Sequence, residues 1–146
     1  MKKVSKNIGD TYKIAEDFFN KLKPMKNGAT VVGLYGDLGV GKTTFTQAIG
    51  KILKIKRKVN SPTFVIMKRY SIKHPNFKNV FHLDAYRLKN DRELLHLGWD
   101  EIIGNNEHLV VIEWPENIIK AIPKKHHQIH ISHTKKGNRK FEIKST

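Results

Sequence analysis

Residues 36–43 read Gly-Asp-Leu-Gly-Val-Gly-Lys-Thr and match the pattern G-x-x-x-x-G-K-[ST] at every fixed position. An apolar run at 30–35 precedes this octapeptide, and a helix-compatible stretch at 44–53 follows it. A strand, a glycine-rich loop and a helix in this order form a phosphate-binding loop. The stretch therefore predicts an α/β domain that binds a nucleoside triphosphate. A glycine loop that merely turns a strand into a helix is the alternative.

Each residue type in the loop has a chemical reason. Glycines allow positive φ angles and bring backbone N–H groups close to phosphate oxygens, and the helix that follows points its positive end at the same anion. Lys42 is expected to reach the β- and γ-phosphates, and the Thr43 hydroxyl is expected to bind Mg²⁺. The predicted binding residues of this segment are Gly36, Asp37, Leu38, Gly39, Val40, Gly41, Lys42, Thr43 and Thr44.

Composition limits the class of protein. A chain of 146 residues with 38% hydrophobic residues suits one globular domain, here an ATPase domain over 1–146. No apolar run approaches the roughly 20 residues of a membrane span, and no signal-peptide core follows the first charges. We therefore expect a cytoplasmic protein without membrane contact. Cysteine is absent, which excludes disulfides and thiolate metal sites.

The chain is strongly basic: 28 Lys and Arg against 13 Asp and Glu give a net charge of +15. This charge favours a polyanionic partner such as RNA. The lysines are spread along the whole chain rather than gathered in one segment, and coding bias of the source organism explains such a surface equally well. Contact with tRNA is therefore expected to be indirect or weak.

The remaining pattern predicts a P-loop NTPase-like three-layer sandwich, with a mixed, mostly parallel sheet, helices on both faces and a C-terminal β-hairpin. The N-terminal helix carries Ile14, Phe18 and Leu22 on one face, with Asp10 or Thr11 as its cap. Further strands are predicted at 63–67, 79–84, 108–113, 128–133 and 139–144, helices at 92–97 and 116–122, and a short turn at 99–103.

Two of the predicted apolar strands each end at a residue with a carboxylate side chain. Glu113 follows the run 108–112 as in a Walker B strand and is the predicted Mg²⁺-side carboxylate. Asp84 ends 79–84 and is the predicted catalytic residue, holding the metal, orienting the attacking water or accepting its proton. His82 shares a face with Asp84 and is a candidate to orient it. The alternatives are a surface Glu, a capping Asp and a packed His.

Three further features bear on the ligand. The Ser61-Pro62-Thr63 segment is a switch-like loop or a plain turn. The guanine-binding N-K-x-D and the D-x-x-G pattern are both missing from the sequence, which favours ATP. Arg87 is the only nearby candidate for an arginine finger. Four histidines are interpreted as ordinary polar side chains rather than metal ligands, namely His126, His127, His130 and His133.

Four motifs then carry a resemblance: 36–45, Ser61-Pro62-Thr63-Phe64, 82–88 and Ile112-Glu113-Trp114-Pro115-Glu116. With these motifs the chain resembles the TsaE family, also called YjeE, of small P-loop ATPases in tRNA threonylcarbamoyladenosine biosynthesis. Their order and spacing agree from about residue 11 to residue 116. Ala85 and the pair Ile14-Ala15 depart from the family pattern outside the proposed chemistry.

The resemblance implies an accessory ATPase rather than a transferase. It implies binding of ATP and Mg²⁺, slow hydrolysis, and work with the partners TsaD and TsaB, which modify the adenosine next to the tRNA anticodon. By position, Thr11 and Trp114 would contact the nucleotide, Thr43 and Glu113 would hold Mg²⁺, and Asp84 would be needed for hydrolysis together with Lys42. A small-molecule kinase and a basic RNA-binding module with structural ATP are the alternatives.

Overall fold

The computed structural model describes residues 1–37, 39, 41–55 and 67–145. Within these ranges seven strands form one sheet in the order β1-β7-β6-β2-β5-β4-β3. The strands are β1 (Lys2–Ser5), β2 (Thr30–Tyr35), β3 (Met67–Ser71), β4 (Asn79–Asp84), β5 (His108–Glu113), β6 (His127–His133) and β7 (Arg139–Lys144). The helices are α1 (Ile8–Asn20), α2 (Lys42–Ile52), α3 (Arg92–Leu95), α4 (Trp99–Ile103) and a 3₁₀ helix (Pro115–Ala121).

The centre of the sheet is parallel. β2 pairs with both β5 and β6 in parallel, and β5 pairs in parallel with β4. β2, β4 and β5 are mostly apolar and largely buried, as expected for strands covered on both faces, whereas β6 alternates between buried and more exposed residues. The predicted strands at 30–35, 79–84 and 108–113 are confirmed. Their carboxyl ends meet at one edge, where β2 runs into the glycine loop.

The two ends of the sheet are antiparallel. β3 pairs with β4, but it shares only Met67 with the strand predicted at 63–67: residues 63–66 lie outside the described residues, and the strand at 68–71 was not predicted. The hairpin of β6 and β7 is confirmed, with β6 beginning one residue earlier than predicted. β1 was not predicted, because four residues of mixed polarity carry no strand signal. It pairs antiparallel with β7 and brings the two ends of the chain together.

Helices cover both faces of the sheet, which confirms the three-layer prediction. α1 and α2 pack on one face around Phe19, Phe45 and Phe141. The α3, α4 and 3₁₀ segments pack on the other face around Leu94 and Trp99. Among the described residues no helix has the length and apolarity needed to cross a membrane.

Several helix boundaries differ from the predictions. The cap of α1 is Asn7, whose backbone is extended and whose Oδ1 accepts the Asp10 N–H at 2.8 Å, so the prediction of Asp10 or Thr11 is wrong. α2 begins at Lys42, two residues before the predicted start, because the last glycine of the loop is itself the cap. The segment after Pro115 is a 3₁₀ helix with a break at Ile118 rather than an α-helix.

Candidate nucleotide site

The glycine loop connects β2 to α2 and has the backbone that the motif requires. φ is 148° at Gly36, 76° at Gly39 and 113° at Gly41, all in the region that side chains disfavour. Gly41 caps α2, so the loop leads directly to the free N–H groups of the first helical turn. Leu38 and Val40 lie outside the described residues. The described part of the loop therefore has the features of an anion cradle.

Lys42 is the first residue of α2 and is folded back over the loop. Its side chain is only 5% exposed. The Nζ atom donates a hydrogen bond to the Gly36 carbonyl oxygen at 2.6 Å and lies 3.4 Å from the ring centroid of Trp114. The ammonium is thus held by a carbonyl and an aromatic face in this structure, at the mouth of the cradle.

Burial and nearby carboxylates act in opposite directions on the pKa of Lys42. Burial lowers the pKa of Lys42 from its ordinary value, since a charged ammonium is poorly solvated there. The attraction of nearby carboxylates acts against this shift in the pKa. These carboxylates belong, in order of decreasing effect, to Glu113, Glu116, Asp84 and Asp37. The charge of Lys42 therefore lies within the field of four carboxylates.

Glu113 and Asp84 end adjacent parallel strands and are partners in the register of β4 and β5. Glu113 is 3% exposed, and its Oε2 lies 2.7 Å from Nε2 of the buried His82. The prediction that His82 orients Asp84 is wrong: His82 holds Glu113 instead. Because side chains alternate along a strand, those of His82, Asp84 and Glu113 all lie on the same face of the sheet. The register between β4 and β5 then decides which carboxylate His82 contacts.

Backbone hydrogen bonds fix the ends of these two strands. The Ala85 N–H donates to the Glu113 carbonyl at 2.9 Å, and the Tyr86 N–H donates to Oδ1 of Asp84 at 3.0 Å. Nδ2 of Asn117, from the 3₁₀ helix, donates to the Ala85 carbonyl at 2.9 Å. The two carboxylates therefore sit on a rigid frame, as a reaction site requires.

Trp114 follows β5 in an unusual backbone conformation. Its φ of 60° and ψ of 48° are left-handed, which is uncommon for a residue with a side chain. The turn sends its ring back over Lys42 and within 5.0 Å of the Tyr86 ring. The structure thus places Trp114 beside the loop. Strain of this kind is typical of functional sites.

On the other side of the loop lie residues from both ends of the chain. Thr11 is 1% exposed, and its Oγ1 lies 2.7 Å from Oγ of Ser5. The Arg139 side chain packs against Gly41, where an added Cβ would lie 3.0 Å from its Nε and Cζ atoms. Arg139 is therefore an arginine beside the loop that the sequence did not indicate, and Arg87 stays the predicted candidate for an arginine finger.

The other predicted residues fall into two groups. Thr43 and Thr44 lie in the first turn of α2, with Thr43 exposed towards the loop end of the helix and Thr44 half-buried. Ser61-Pro62-Thr63 lies outside the described residues. Of the four histidines, His126 bonds to the Tyr35 hydroxyl at 2.9 Å and His130 stacks on the Tyr35 ring at 4.5 Å. Within the described ranges no three acidic or histidine side chains form a metal cluster.

Sequence reasoning missed two charged residues at the site. Glu116 belongs to a quoted motif, and its charge acts on both Lys42 and Tyr35. Its position directly after Trp114 and Pro115 was the available signal. Arg139 had no signal of its own in the sequence, because its position beside the loop follows from the pairing of β7 with β6, the pairing of β6 with β2 and the packing on Gly41.

The sheet order, the glycine loop after β2 and the carboxylates that end the neighbouring strands define a P-loop nucleotide-binding protein. The profile of one family, threonylcarbamoyl adenosine biosynthesis protein TsaE, matches residues 5–141. The chain therefore belongs to the TsaE family.

Individual relatives agree with this membership. The chain is 41% identical over 114 residues to the tRNA threonylcarbamoyladenosine biosynthesis protein TsaE of Rickettsia typhi, which covers 77% of this chain and 72% of that protein. It is 38% identical over 109 residues to the protein of the same name from Aquifex aeolicus, covering 73% and 71% of the two chains. The crystal structure of YdiB from Bacillus subtilis superposes with a TM-score of 0.76 at 29% identity, covering 98% of this chain and 83% of that one.

Proposed function

We propose that this chain is a single-domain, Mg²⁺-dependent ATPase that hydrolyses ATP slowly and supports threonylcarbamoyladenosine formation on tRNA in the cytoplasm. The observation that carries the proposal is the position of Lys42, a buried cation at the mouth of a glycine cradle and within the field of four carboxylates. The names of the relatives from Rickettsia typhi and Aquifex aeolicus supply the tRNA modification.

The triphosphate would lie along the loop and the first turn of α2. Backbone N–H groups of residues 39–44 would donate to the phosphate oxygens, and Lys42 would leave the Gly36 carbonyl to reach the β- and γ-phosphates. Trp114 would have to move with it, because its ring covers the ammonium. The proposed nucleotide contacts are Thr11, Gly36, Asp37, Leu38, Gly39, Val40, Gly41, Lys42, Thr43, Thr44 and Trp114.

The oxygen atoms beside the loop fit Mg²⁺. The exposed hydroxyl of Thr43 and the carboxylate of Glu113 are the hard ligands that this ion prefers, with waters completing the shell. His82 engages only Oε2 of Glu113, which leaves Oε1 for a ligand. The ion would neutralise charge on the β- and γ-phosphates. His82 would then fix the orientation of the carboxylate.

Asp84 is the proposed catalytic carboxylate. A water oriented by Asp84 would attack the γ-phosphorus, the bond from that phosphorus to the bridging oxygen would break, and the proton of the water would pass to the carboxylate. ADP and inorganic phosphate are then the products. The hydrogen bond from the Tyr86 N–H to Oδ1 fixes the rotation of this side chain.

The position of Lys42 also supports slow turnover without a partner. Because the ammonium is held by the Gly36 carbonyl and the Trp114 ring, ATP must displace two contacts before the lysine can act. We propose that the TsaD and TsaB complex favours the displaced arrangement, and that tRNA is contacted indirectly or weakly. Such a population shift requires only that the partner complex bind more tightly to the form of this chain in which Lys42 has left Gly36 and Trp114.

Reconstitution tests this function. Purified TsaD, TsaB and tRNA, with a supply of the threonylcarbamoyl group, should give the modified nucleoside over repeated turnovers when this chain and ATP are added. Omitting the chain, or supplying Lys42→Ala, should stop that formation. Equal yields with and without the chain would refute the proposal, and transfer of labelled phosphate to a metabolite would favour a kinase.

The net charge of +15 favours a second candidate, a basic RNA-binding module in which ATP is structural. This candidate predicts tight binding to tRNA without any partner, weakening steeply as salt is raised. A gel shift with purified chain and tRNA at low salt discriminates the two functions. Absence of a shift at micromolar chain removes the RNA-binding candidate.

A further inference from the structure

We infer that Arg139 is a nucleotide-binding residue, which contacts the α-phosphate and fixes the nucleoside end of the ligand. This inference rests on the proposed function, since it assigns a further residue to the same ATP site. It concerns affinity rather than the chemical step.

The contact between Arg139 and the loop is close. A Cβ built on Gly41 would lie 3.0 Å from each of Cδ, Nε and Cζ of Arg139, so the guanidinium end lies against the Gly41 backbone. Gly41 is the cap of α2, and the N–H groups of the first turn follow it. The guanidinium therefore lies beside the part of the cradle where phosphate oxygens would be bound.

The chemistry of the side chain fits this position. A guanidinium is planar, remains charged at every relevant pH and presents N–H donors in a fork that matches two phosphate oxygens. Arg139 is half-buried, and within the described ranges no carboxylate lies within 4.0 Å of it to form an ion pair. Its charge is therefore available to an anion in the cradle.

Sheet order decides which phosphate this is. β2, which leads to the loop, has β5 and β4 on one side and β6 and β7 on the other. Asp84 and Glu113 end the strands of the first side, where Mg²⁺ and the γ-phosphate would lie. Arg139 begins β7 on the opposite side. A triphosphate that spans the loop would thus place its α-phosphate, not its γ-phosphate, next to Arg139.

The residues around Arg139 also support its position near the nucleoside end of the ligand. In the register of β1 and β7, Arg139 is the partner of Ser5, and the hydroxyl of Ser5 is bonded to that of Thr11 at 2.7 Å. Thr11 is one of the nucleotide contacts in the proposed function on which this inference rests. Arg139, Ser5 and Thr11 therefore lie next to one another on the side of β2 opposite to the carboxylates, with Ser5 and Thr11 buried behind Arg139.

The test compares Arg139→Gln with Lys140→Gln, a matched control that removes a cation from the same strand but from its opposite face. Calorimetry would measure the Kd of ADP and of a non-hydrolysable β,γ-imido ATP, and steady-state assays would separate kcat from KM. Arg139→Gln should raise the Kd of both ligands by the same factor, roughly tenfold to a hundredfold, with kcat at saturation nearly unchanged. Lys140→Gln should match the wild type.

Three results would overturn the inference: an unchanged Kd for both ligands, a weaker Kd for the ATP analogue alone, or a fall in kcat at unchanged Kd. The last two would place Arg139 at the γ-phosphate. If Arg139→Gln fails to fold, as judged by melting without nucleotide, Arg139→Lys takes its place. This variant should also raise the Kd of both ligands by the same factor, but by a smaller one. Failure of the wild type to bind any nucleotide would instead refute the proposed function.

Discussion

The two sides of the phosphate loop are built in different ways. The carboxylate side, with Asp84, Glu113 and His82, stands on buried parallel strands in the centre of the sheet. The opposite side, with Arg139 and Ser5, is made by antiparallel strands from the two ends of the chain. The first side holds groups suited to metal and chemistry, and the second holds a cation suited to binding. The difference suggests that turnover and affinity can be changed separately.

The largest effect is expected from Asp84→Asn. The amide keeps an acceptor for the Tyr86 N–H but cannot take a proton, so the fold should survive while hydrolysis fails. We expect kcat to fall by about a thousandfold, within the range for loss of a general base. Phosphate release under saturating ATP measures this, and calorimetry should show ADP affinity within about threefold of wild type. Retention of activity would remove Asp84 from the mechanism.

Removing the partner of Glu113 should destabilise the carboxylate side. His82→Ala leaves a buried carboxylate without its hydrogen bond, and Lys42 compensates its charge only in part. We expect the free energy of unfolding in urea to fall by about 3 kcal/mol. The control is His96→Ala, at an exposed position, with an expected change below about 0.5 kcal/mol. Similar changes for both variants would mean that the buried pair contributes nothing.

A smaller effect is expected where Arg139 meets the loop. Gly39→Ala and Gly41→Ala both place a Cβ at a positive φ, which costs about 1–2 kcal/mol, but only the second meets Arg139 atoms at 3.0 Å. Urea unfolding without nucleotide should therefore show Gly41→Ala as the less stable variant. Adding Arg139→Ala should recover part of the loss in Gly41→Ala and none in Gly39→Ala. No recovery would argue against the packing of Arg139 on Gly41.

The smallest effect concerns pH. Burial lowers the pKa of Lys42, so between the folded pKa and the ordinary lysine value this group is protonated to a greater extent in the unfolded chain than in the folded chain. Stability of the wild type should consequently rise with pH through this window relative to Lys42→Met, in which the group is gone. Paired urea titrations from pH 7 to pH 10 measure the difference. The lowered pKa of Lys42 would be contradicted if the difference in free energy of unfolding between the two proteins stayed constant with pH, or if the wild type lost stability relative to Lys42→Met as the pH rose.

The carboxylate side could be predicted from the sequence because its signals are local. The octapeptide encodes its own turn, and the apolar strands at 79–84 and 108–113 end in acids at the edge where parallel strands finish. The hydrogen-bond partner of His82 could not be predicted from the sequence. The alternation of side chains shows which face of the sheet His82 lies on, but the register between β4 and β5 decides whether it contacts Asp84 or Glu113. Nothing local indicated that Trp114 would take a left-handed backbone.

On the opposite side the hairpin of β6 and β7 was predicted, but β1 and the position of Arg139 beside the loop were not. β1 is four residues long and gains its stability from pairing with β7, so neither strand reveals the other through its own pattern. The cap at Asn7 was missed because Asp10 and Thr11 are equally good capping types by composition. Contacts between distant parts of the chain depend on tertiary packing, which periodicity does not encode.

The most direct test of the account measures kcat and ADP affinity side by side for Asp84→Asn and Arg139→Gln. The two variants should lose different properties: Asp84→Asn should lose turnover and keep affinity, and Arg139→Gln should lose affinity and keep turnover at saturation. Loss of the same parameter in both variants would show that the two sides of the loop do not divide chemistry from binding and would contradict the account.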